Sequence, residues 1–274
     1  MAQISSWTDP LTQVIAEDIG RIAWNTFLAL VPLALSFSLF YQPRSRWFCW
    51  GTYSLLAISF VVGIKKYQNG DLLVALENIA TSFRGVRMIF IAILLCLIII
   101  LTIVDRRSRP LQDRNRSLWW WLGLCLFTAI LPNAPYILTD IIHFYDAVRA
   151  IDSAWTITLV IVPIYLVFIG VGWFAYIFSL INVGRYLTKH HLDKYTGIAE
   201  LSLHFLCAIG IYIGRFMRFN SWSLVTHPQK FLSILPGELI GKFPLVVILL
   251  TFAIIALLYA ICKPIGARSP IYQP

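Results

Sequence analysis

The stretch LWWWLGLCLFTAILPNAPYILTDIIHFYD, residues 118–146, decides the fold class. Its first half is almost wholly apolar and long enough to form most of a membrane-crossing helix. Pro132 and Pro135 then interrupt the pattern, and ionisable side chains follow at a spacing of three: Asp140, His143 and Asp146. A helix that breaks beside ionisable groups predicts a polar centre within an apolar bundle.

Composition extends this reading to the whole chain. Of the 274 residues, 59% are hydrophobic and only 13% are charged, and the mean hydropathy is +0.76. Soluble domains are about half apolar and about a quarter charged. We therefore predict an all-α, polytopic transmembrane helix bundle that forms one integral membrane domain over residues 1–274.

The apolar runs predict about seven spans, the fourth broken by proline. Their approximate bounds are 22–41, 47–64, 88–104, 118–131, 155–181, 198–214 and 243–262. Residues 11–22 carry Ile and Leu at helical spacing opposite Glu17 and Asp18, which predicts a short amphipathic helix lying at the interface ahead of the first span.

Charge predicts the orientation. The segment 105–117 is short and rich in arginine, which favours the cytoplasmic side. The N-terminus is then outside, the C-terminus is inside, and the loop after the fourth span is outside. The net charge of +9 fits basic loops at a membrane better than nucleic-acid binding. The loop after the sixth span is basic although it is placed outside, and pairing with the acidic loop after the fourth span accounts for its arginines.

Proline chemistry predicts the geometry of the break. Pro132 lacks a backbone donor and clashes with the preceding turn, so the fourth span ends or kinks there. Residues 133 and 134 are expected to be extended, because a proline at 135 disfavours the helical region for the residue before it. Pro135 is expected to open a new helix as its first residue. Asn133 and Asn25 are expected to hold the broken backbone in place.

A second polar patch, GIYIGRFMRFNSW, covers residues 210–222. Gly210 and Gly214 form a G-x-x-x-G step, which lets another helix approach closely. Arg215 and Arg218 are three residues apart and can project from one face. The predicted orientation places this patch, Trp24 and Asn25 on the same side as the break. The expected ligand-binding residues are therefore Asn133, Tyr136, Asp140, His143, Arg215, Arg218, Asn220 and Trp222.

Three stretches carry a family resemblance: WNTFLALVPL (24–33), LPNAPYILTDIIHF (131–144) and GIYIGRFMRFNSW (210–222). They resemble the signature stretches of a family of bacterial integral membrane proteins, domain of unknown function thirteen sixty-one. The chain departs from the family pattern at Ser223, where an Asp is usual, and in a longer segment between the first and fourth spans. The resemblance implies a bacterial inner-membrane protein and no established activity.

Three classes of function remain open. The first is binding or transport of a small polar or anionic solute, or of a lipid headgroup, by arginines whose planar forks suit phosphate and carboxylate. The second is a membrane-embedded enzyme with Asp140 or His143 as acid and base, the arginines stabilising negative charge, and only Tyr136 or Thr139 as a nucleophile. The third is a structural subunit, in which an Asp140–arginine salt bridge closes the outer face.

Metal binding and cofactors receive little support from the sequence. Asp140, His143 and Asp146 are suitable ligand types, but a three-residue spacing is also ordinary for a hydrated helix end. The five cysteines show no C-x-x-C or Cys/His ligand spacing. No nucleotide-binding or nucleophile motif is present in the sequence. We expect no cofactor and no metal. The expected partners are the lipid bilayer and an anionic ligand, without nucleic acid.

Overall fold

The structure is a computed structural model that describes residues 2–41, 45–66, 118–217 and 242–271. Within these ranges the chain is helical and contains no strand, which confirms the predicted all-α class. The predicted third span, 88–104, and the arginine-rich segment 105–117 lie outside the described residues, as do Arg218, Asn220 and Trp222.

The described helices are numbered here in chain order. Two long helices come first: α1 (Ala2–Leu39) and α2 (Arg46–Lys66). The broken region follows as α3 (Leu118–Ile130), α4 (Asn133–Tyr136), a 3-10 segment (Ile137–Asp140) and α5 (Ile141–Arg149). Three helices complete the bundle: α6 (Ala154–Lys189, with a π-helical stretch at Ile157–Ile161), α7 (Thr196–Arg215) and α8 (Lys242–Ala267).

Five segments within the described ranges are long and apolar enough to cross a membrane. They are Asp18–Leu39, Leu118–Arg149, Ala154–Lys189, Asp193–Arg215 and Lys242–Ala267. The predicted second span coincides with the helix α2, which is not among the five. The predicted fourth span, 118–131, lies within the candidate segment Leu118–Arg149, which continues through the break. The count of seven spans stays a prediction.

Helix α1 is the centre of the bundle. Its residues from Ala29 to Leu39 are all buried, with Ala29 and Leu35 at 0% exposure. It packs against α2, α3 and α6. The outer helices instead expose large apolar side chains, such as Leu166 on α6 and Leu257 on α8. A bilayer environment favours this arrangement, in which the central helix is enclosed and the surrounding helices have apolar outer surfaces.

The predicted interfacial helix 11–22 is not a separate element. Helix α1 runs without interruption from Ala2 to Leu39 and continues through Pro32. Asp18 therefore belongs to the same helix that crosses the bundle and not to a separate surface helix. A proline inside a helix is tolerated here because neighbouring helices enclose it.

Side-chain contacts fix the relative directions of the helices. Trp120 Nε1 donates to the Leu39 carbonyl oxygen at 3.1 Å, so the start of α3 lies beside the end of α1. Asn182 Nδ2 donates to Ser36 Oγ at 2.8 Å, so α6 reaches the same end as it finishes. We call this the Leu39 end. The opposite end, which holds Asn25 and Asp140, is called the Asp140 end.

The break at Pro132 is present, but its local geometry differs from the prediction. Pro132 has φ −57° and ψ −23°, and Asn133–Tyr136 is helical rather than extended. The new helix begins at Asn133, so Pro135 is its third residue. The first four N–H groups of a helix have no partner within it, so a proline is tolerated there. Asn133 Nδ2 donates to the Ile130 carbonyl oxygen at 2.8 Å, which provides a partner for broken backbone.

Glycines allow two helices to reach the broken region. A Cβ placed at Gly210 on α7 would lie 2.6 Å from Pro132 Cβ. A Cβ placed at Gly172 on α6 would collide with the Ile137 side chain, including its Cβ at 3.0 Å. The close approach predicted for the G-x-x-x-G step is therefore made by Gly210, and its contact is the break itself.

This packing gives a first test. Gly172→Ala is expected to destabilise the protein by about 1–3 kcal/mol, because an extra methyl in a filled contact forces neighbours to shift. The matched control is Gly170→Ala on the same helix, where nothing lies within 4 Å of the added Cβ. Thermal unfolding of both variants in detergent micelles is the measurement. Equal melting temperatures would contradict the close contact at Gly172.

Candidate functional site

The most buried charged side chain in the described residues is that of Asp140, at 1% exposure. It ends the 3-10 segment after the break. Its Oδ2 accepts a hydrogen bond from Asn25 Nδ2 at 2.7 Å, and its Oδ1 lies 3.7 Å from Arg215 Nη1. Three parts of the bundle, α1, the broken region and α7, thus meet at one carboxylate. We call Asn25, Asp140 and Arg215 the Asp140 centre.

Arg215 is held mainly by groups other than the Asp140 carboxylate. Its Nη2 donates to the Thr139 carbonyl oxygen at 3.1 Å, and its guanidinium carbon lies 6.0 Å from the centre of the Tyr136 ring. The 3.7 Å separation from Asp140 is longer than a direct hydrogen bond. The guanidinium is therefore positioned by Thr139 and Tyr136, and its ion pair with Asp140 is long.

A second charged group lies at the same end of α1. Arg21 Nη2 donates to Asp18 Oδ1 at 2.7 Å and to the Tyr165 hydroxyl at 2.8 Å. The Tyr165 hydroxyl donates to Asp18 Oδ2 at 3.0 Å, which closes a three-residue network between α1 and α6. The other terminal nitrogen, Arg21 Nη1, is buried and has no hydrogen-bond partner among the described residues.

His143 lies one turn beyond Asp140 and is partly buried. The charges of Arg21, Asp140 and Arg215 all act on its ring, so His143 lies within electrostatic range of both charged groups. Asp146, one turn further, is exposed. In the described part of the chain no three His, Cys, Asp or Glu side chains form a group that could hold a metal ion. The geometry therefore gives no support to a shared metal at these three residues.

The structure corrects one predicted role and adds residues that the sequence did not indicate. Asn25 was expected to hold broken backbone, but it binds the Asp140 carboxylate. Arg21 and Asp18 were assigned to a surface helix. Arg21 lies three residues after Asp18 and four before Asn25. Residues at these spacings share one helix face, so the sequence could have placed all three together. Nothing in the sequence indicated a role for Tyr165, because only the packing of α6 against α1 brings it to Asp18.

A further polar cluster was also missed, and it lies toward the Leu39 end. Lys263 Nζ donates to both carboxylate oxygens of Glu200, at 2.7 and 2.8 Å, and the Tyr259 hydroxyl donates to Glu200 Oε1 at 2.9 Å. The seventh span was predicted to end at residue 262, one residue before Lys263. Helix α8 continues to Ala267, which carries Lys263 into the contact.

The fold and these buried charges define a class: a bundle of apolar helices that are compatible with a membrane protein and enclose ionisable groups among them. The chain belongs to the family described as Protein of unknown function (DUF1361), whose model matches residues 87–257. The match includes the break and α7 but not α1. Comparisons with curated proteins and with solved structures found no match.

The Asp140 centre gives a second test. Arg215→Gln is expected to destabilise the protein by about 3 kcal/mol, because it leaves the buried Asp140 charge without its cation. Adding Asp140→Asn to the same chain is expected to recover part of that loss, since the remaining groups are then neutral. Thermal unfolding of the single and double variants measures the coupling.

The matched control is Arg149→Gln at an exposed arginine whose hydrogen bond is to Tyr145. Its effect is expected to stay within about 0.5 kcal/mol. Additive effects of Arg215→Gln and Asp140→Asn would show that the two side chains do not interact.

Proposed function

We propose that the protein binds a small anionic solute or a lipid headgroup at the Asp140 end of the bundle. One observation carries the proposal: two arginines from different helices, Arg21 and Arg215, lie at the Asp140 end, and Arg21 has a buried terminal nitrogen without a described partner. A buried guanidinium N–H without an acceptor is costly, so a ligand oxygen there would be stabilising.

The chemistry of the site favours an anion. Guanidinium groups offer planar pairs of donors that match phosphate and carboxylate oxygens. Arg215 is positioned by Thr139 and Tyr136 whether or not Asp140 contacts it closely. A ligand oxygen that binds Arg215 would take the place of the Asp140 carboxylate in the 3.7 Å ion pair, while Asn25 keeps its hydrogen bond to Asp140. In this proposal the ion pair is the resting state of the site.

Transport of that ligand is the extended form of the proposal. Discontinuous helices beside charged groups occur in transporters, where broken helices form substrate sites. An enzymatic role would use Asp140 or His143 as acid or base, with the arginines stabilising developing negative charge. Turnover of a phosphorylated or lipid substrate would favour the enzyme. A stable protein partner without ligand binding would favour a structural subunit.

We further propose a multi-pass protein of the bacterial inner membrane, with the Asp140 end outside and the C-terminus inside. The support is the charge at each end. Exposed Lys189 and Lys194 lie near the Leu39 end, whereas Asp146 and Asp152 are exposed near the Asp140 end. Basic residues are enriched on the cytoplasmic side of membrane proteins.

Ligand binding is tested with inorganic phosphate and with lipid. The full chain is titrated calorimetrically with phosphate in detergent micelles. In a separate arm it is reconstituted in vesicles of phosphatidylcholine with or without phosphatidylglycerol, and its unfolding temperature is compared. If the ligand is a soluble anion, phosphate binding is expected to be saturable. If it is a lipid headgroup, phosphatidylglycerol is expected to raise the unfolding temperature.

Arg21→Gln is expected to weaken the binding about 10-fold to 100-fold, the loss of a charge-assisted hydrogen bond. Arg149→Gln, at an exposed arginine whose hydrogen bond is to Tyr145, is expected to leave it unchanged. Binding that is equally strong in Arg21→Gln would place the anion elsewhere. Gel filtration of each variant reports whether it is folded.

The orientation is tested by thiol labelling of single cysteines in a cysteine-free background. Ala150→Cys lies at the Asp140 end and Lys189→Cys near the Leu39 end, and both positions are exposed. A membrane-impermeant maleimide added to intact spheroplasts is expected to label only Ala150→Cys. Labelling of only Lys189→Cys would reverse the proposed orientation.

A further inference from the structure

Helix α5 contacts both charged groups at the Asp140 end. Asp140 is its N-terminal cap residue, so the helix begins at the buried carboxylate. One turn further along, the ring of Phe144 packs against that of Tyr165, with centroids 5.4 Å apart. The hydroxyl of Tyr165 in turn accepts a hydrogen bond from Arg21. The short helix therefore links the Asp140 centre to the network that holds Arg21.

The two faces of α5 differ in exposure. One face packs against the bundle, and Ala147 on it is only 4% exposed. The other face carries large apolar side chains that are exposed: Ile141, Ile142 and Tyr145, at 58%, 52% and 57%. Their spacings of three and four make them neighbours on the helix surface. The helix thus presents an outward apolar face directly beside the charged groups.

The adjacent turn of α6 indicates what covers that face. Val162 and Leu166 lie on either side of Tyr165 along the chain and are exposed at 36% and 68%. They belong to the segment Ala154–Lys189, which is long and apolar enough to cross a membrane. Because Phe144 packs against Tyr165, α5 lies at the depth of these outward apolar side chains. Its exposed face therefore continues a surface that suits hydrocarbon.

The polar end of α5 suits the boundary between hydrocarbon and water. Asp146 and Arg149 are exposed there. Arg149 Nη1 donates to the Tyr145 hydroxyl at 3.3 Å, so this exposed ring has a polar tip. Tyrosine is enriched at the level of the lipid headgroups for that reason. A helix with one apolar face and a charged end is typical of segments that lie in the membrane interface.

We propose that α5 lies in the headgroup region of the leaflet at the Asp140 end, and that the bound anion is the phosphate of a phospholipid that reaches the site over this helix. The inference rests on the proposed anion site and names the source of its ligand. Phosphate oxygens accept from Arg21, whose Nη1 is buried without a described partner. An acyl chain of the same molecule lies against Ile141 and Ile142.

Two probes that share one phosphodiester headgroup test the inference: dioctanoyl phosphatidylglycerol and its deacylated form, glycerophosphoglycerol. Each is titrated calorimetrically into the full chain in detergent micelles. Ile142→Gln is expected to weaken the binding of the acylated probe about three-fold to ten-fold, because apolar contact with the chain is lost. The binding of the deacylated probe is expected to stay unchanged. All variants are measured at one detergent concentration, so partitioning of the probe into micelles cancels in the comparison.

The matched control is Ile261→Gln on α8, where the isoleucine is 60% exposed and lies toward the Leu39 end. It is expected to change the binding of neither probe. Arg21→Gln is expected to weaken the binding of both. If both probes need Arg21 but Ile142→Gln binds the acylated probe as the wild type does, the route over α5 is wrong and the anion site stands. If neither probe needs Arg21, the anion site itself is refuted, and the lipid inference with it.

A nitroxide on Ile142→Cys, in a cysteine-free background, reports the position of α5 without any ligand. In phosphatidylcholine vesicles its collisions with oxygen, which concentrates in lipid, are expected to outnumber those with a water-soluble nickel chelate. Ala150→Cys, exposed at the polar end of the helix, is expected to show the reverse. More frequent collisions with nickel at Ile142→Cys would place this face in water and overturn the inference.

Discussion

The burial of the Asp140 carboxylate is the constraint on which the rest of the structure depends. An ionised carboxylate removed from water is strongly destabilised unless hydrogen bonds and a cation compensate it. Here the compensation comes from Asn25 on α1 and Arg215 on α7, at 2.7 and 3.7 Å. The carboxylate thereby joins parts of the chain that are separated by more than a hundred residues, and the position of the broken region follows from it.

Glycines on α6 and α7 allow these helices to pack closely against the broken region that carries Asp140. Gly210 lets α7 reach Pro132, and Gly172 lets α6 reach Ile137, three residues before Asp140. In a bilayer, apolar side chains gain little by leaving lipid for one another, so close backbone approach and polar contacts carry the association of helices. The broken region is thus contacted by α6 and α7, while Asp140 binds Asn25 on α1.

The sequence was informative where chemistry acts locally. Pro132 predicts the break because it lacks a donor, and charge patterning placed Asp140, Arg215 and Asn25 at one level, as the structure does. Long-range packing was not readable. Arg21 needs Tyr165 from α6, and Glu200 needs Lys263, which lay just beyond a predicted span boundary. The expected extended geometry at residue 134 failed because Ala134 is fully buried in the bundle, where tertiary packing outweighs a local preference.

The enclosure of α1 has a consequence for how the protein is made. Helix α1 is synthesised before the broken region, so Asn25 acquires its Asp140 partner only after a further 115 residues of chain. At a synthesis rate of about 5–20 residues per second, that delay is roughly 6–23 s. During this interval the polar face of α1, including Arg21 and Ser36, has none of its later partners from the broken region and α6. Helix α1 is therefore fully enclosed only after the broken region and α6 have been made.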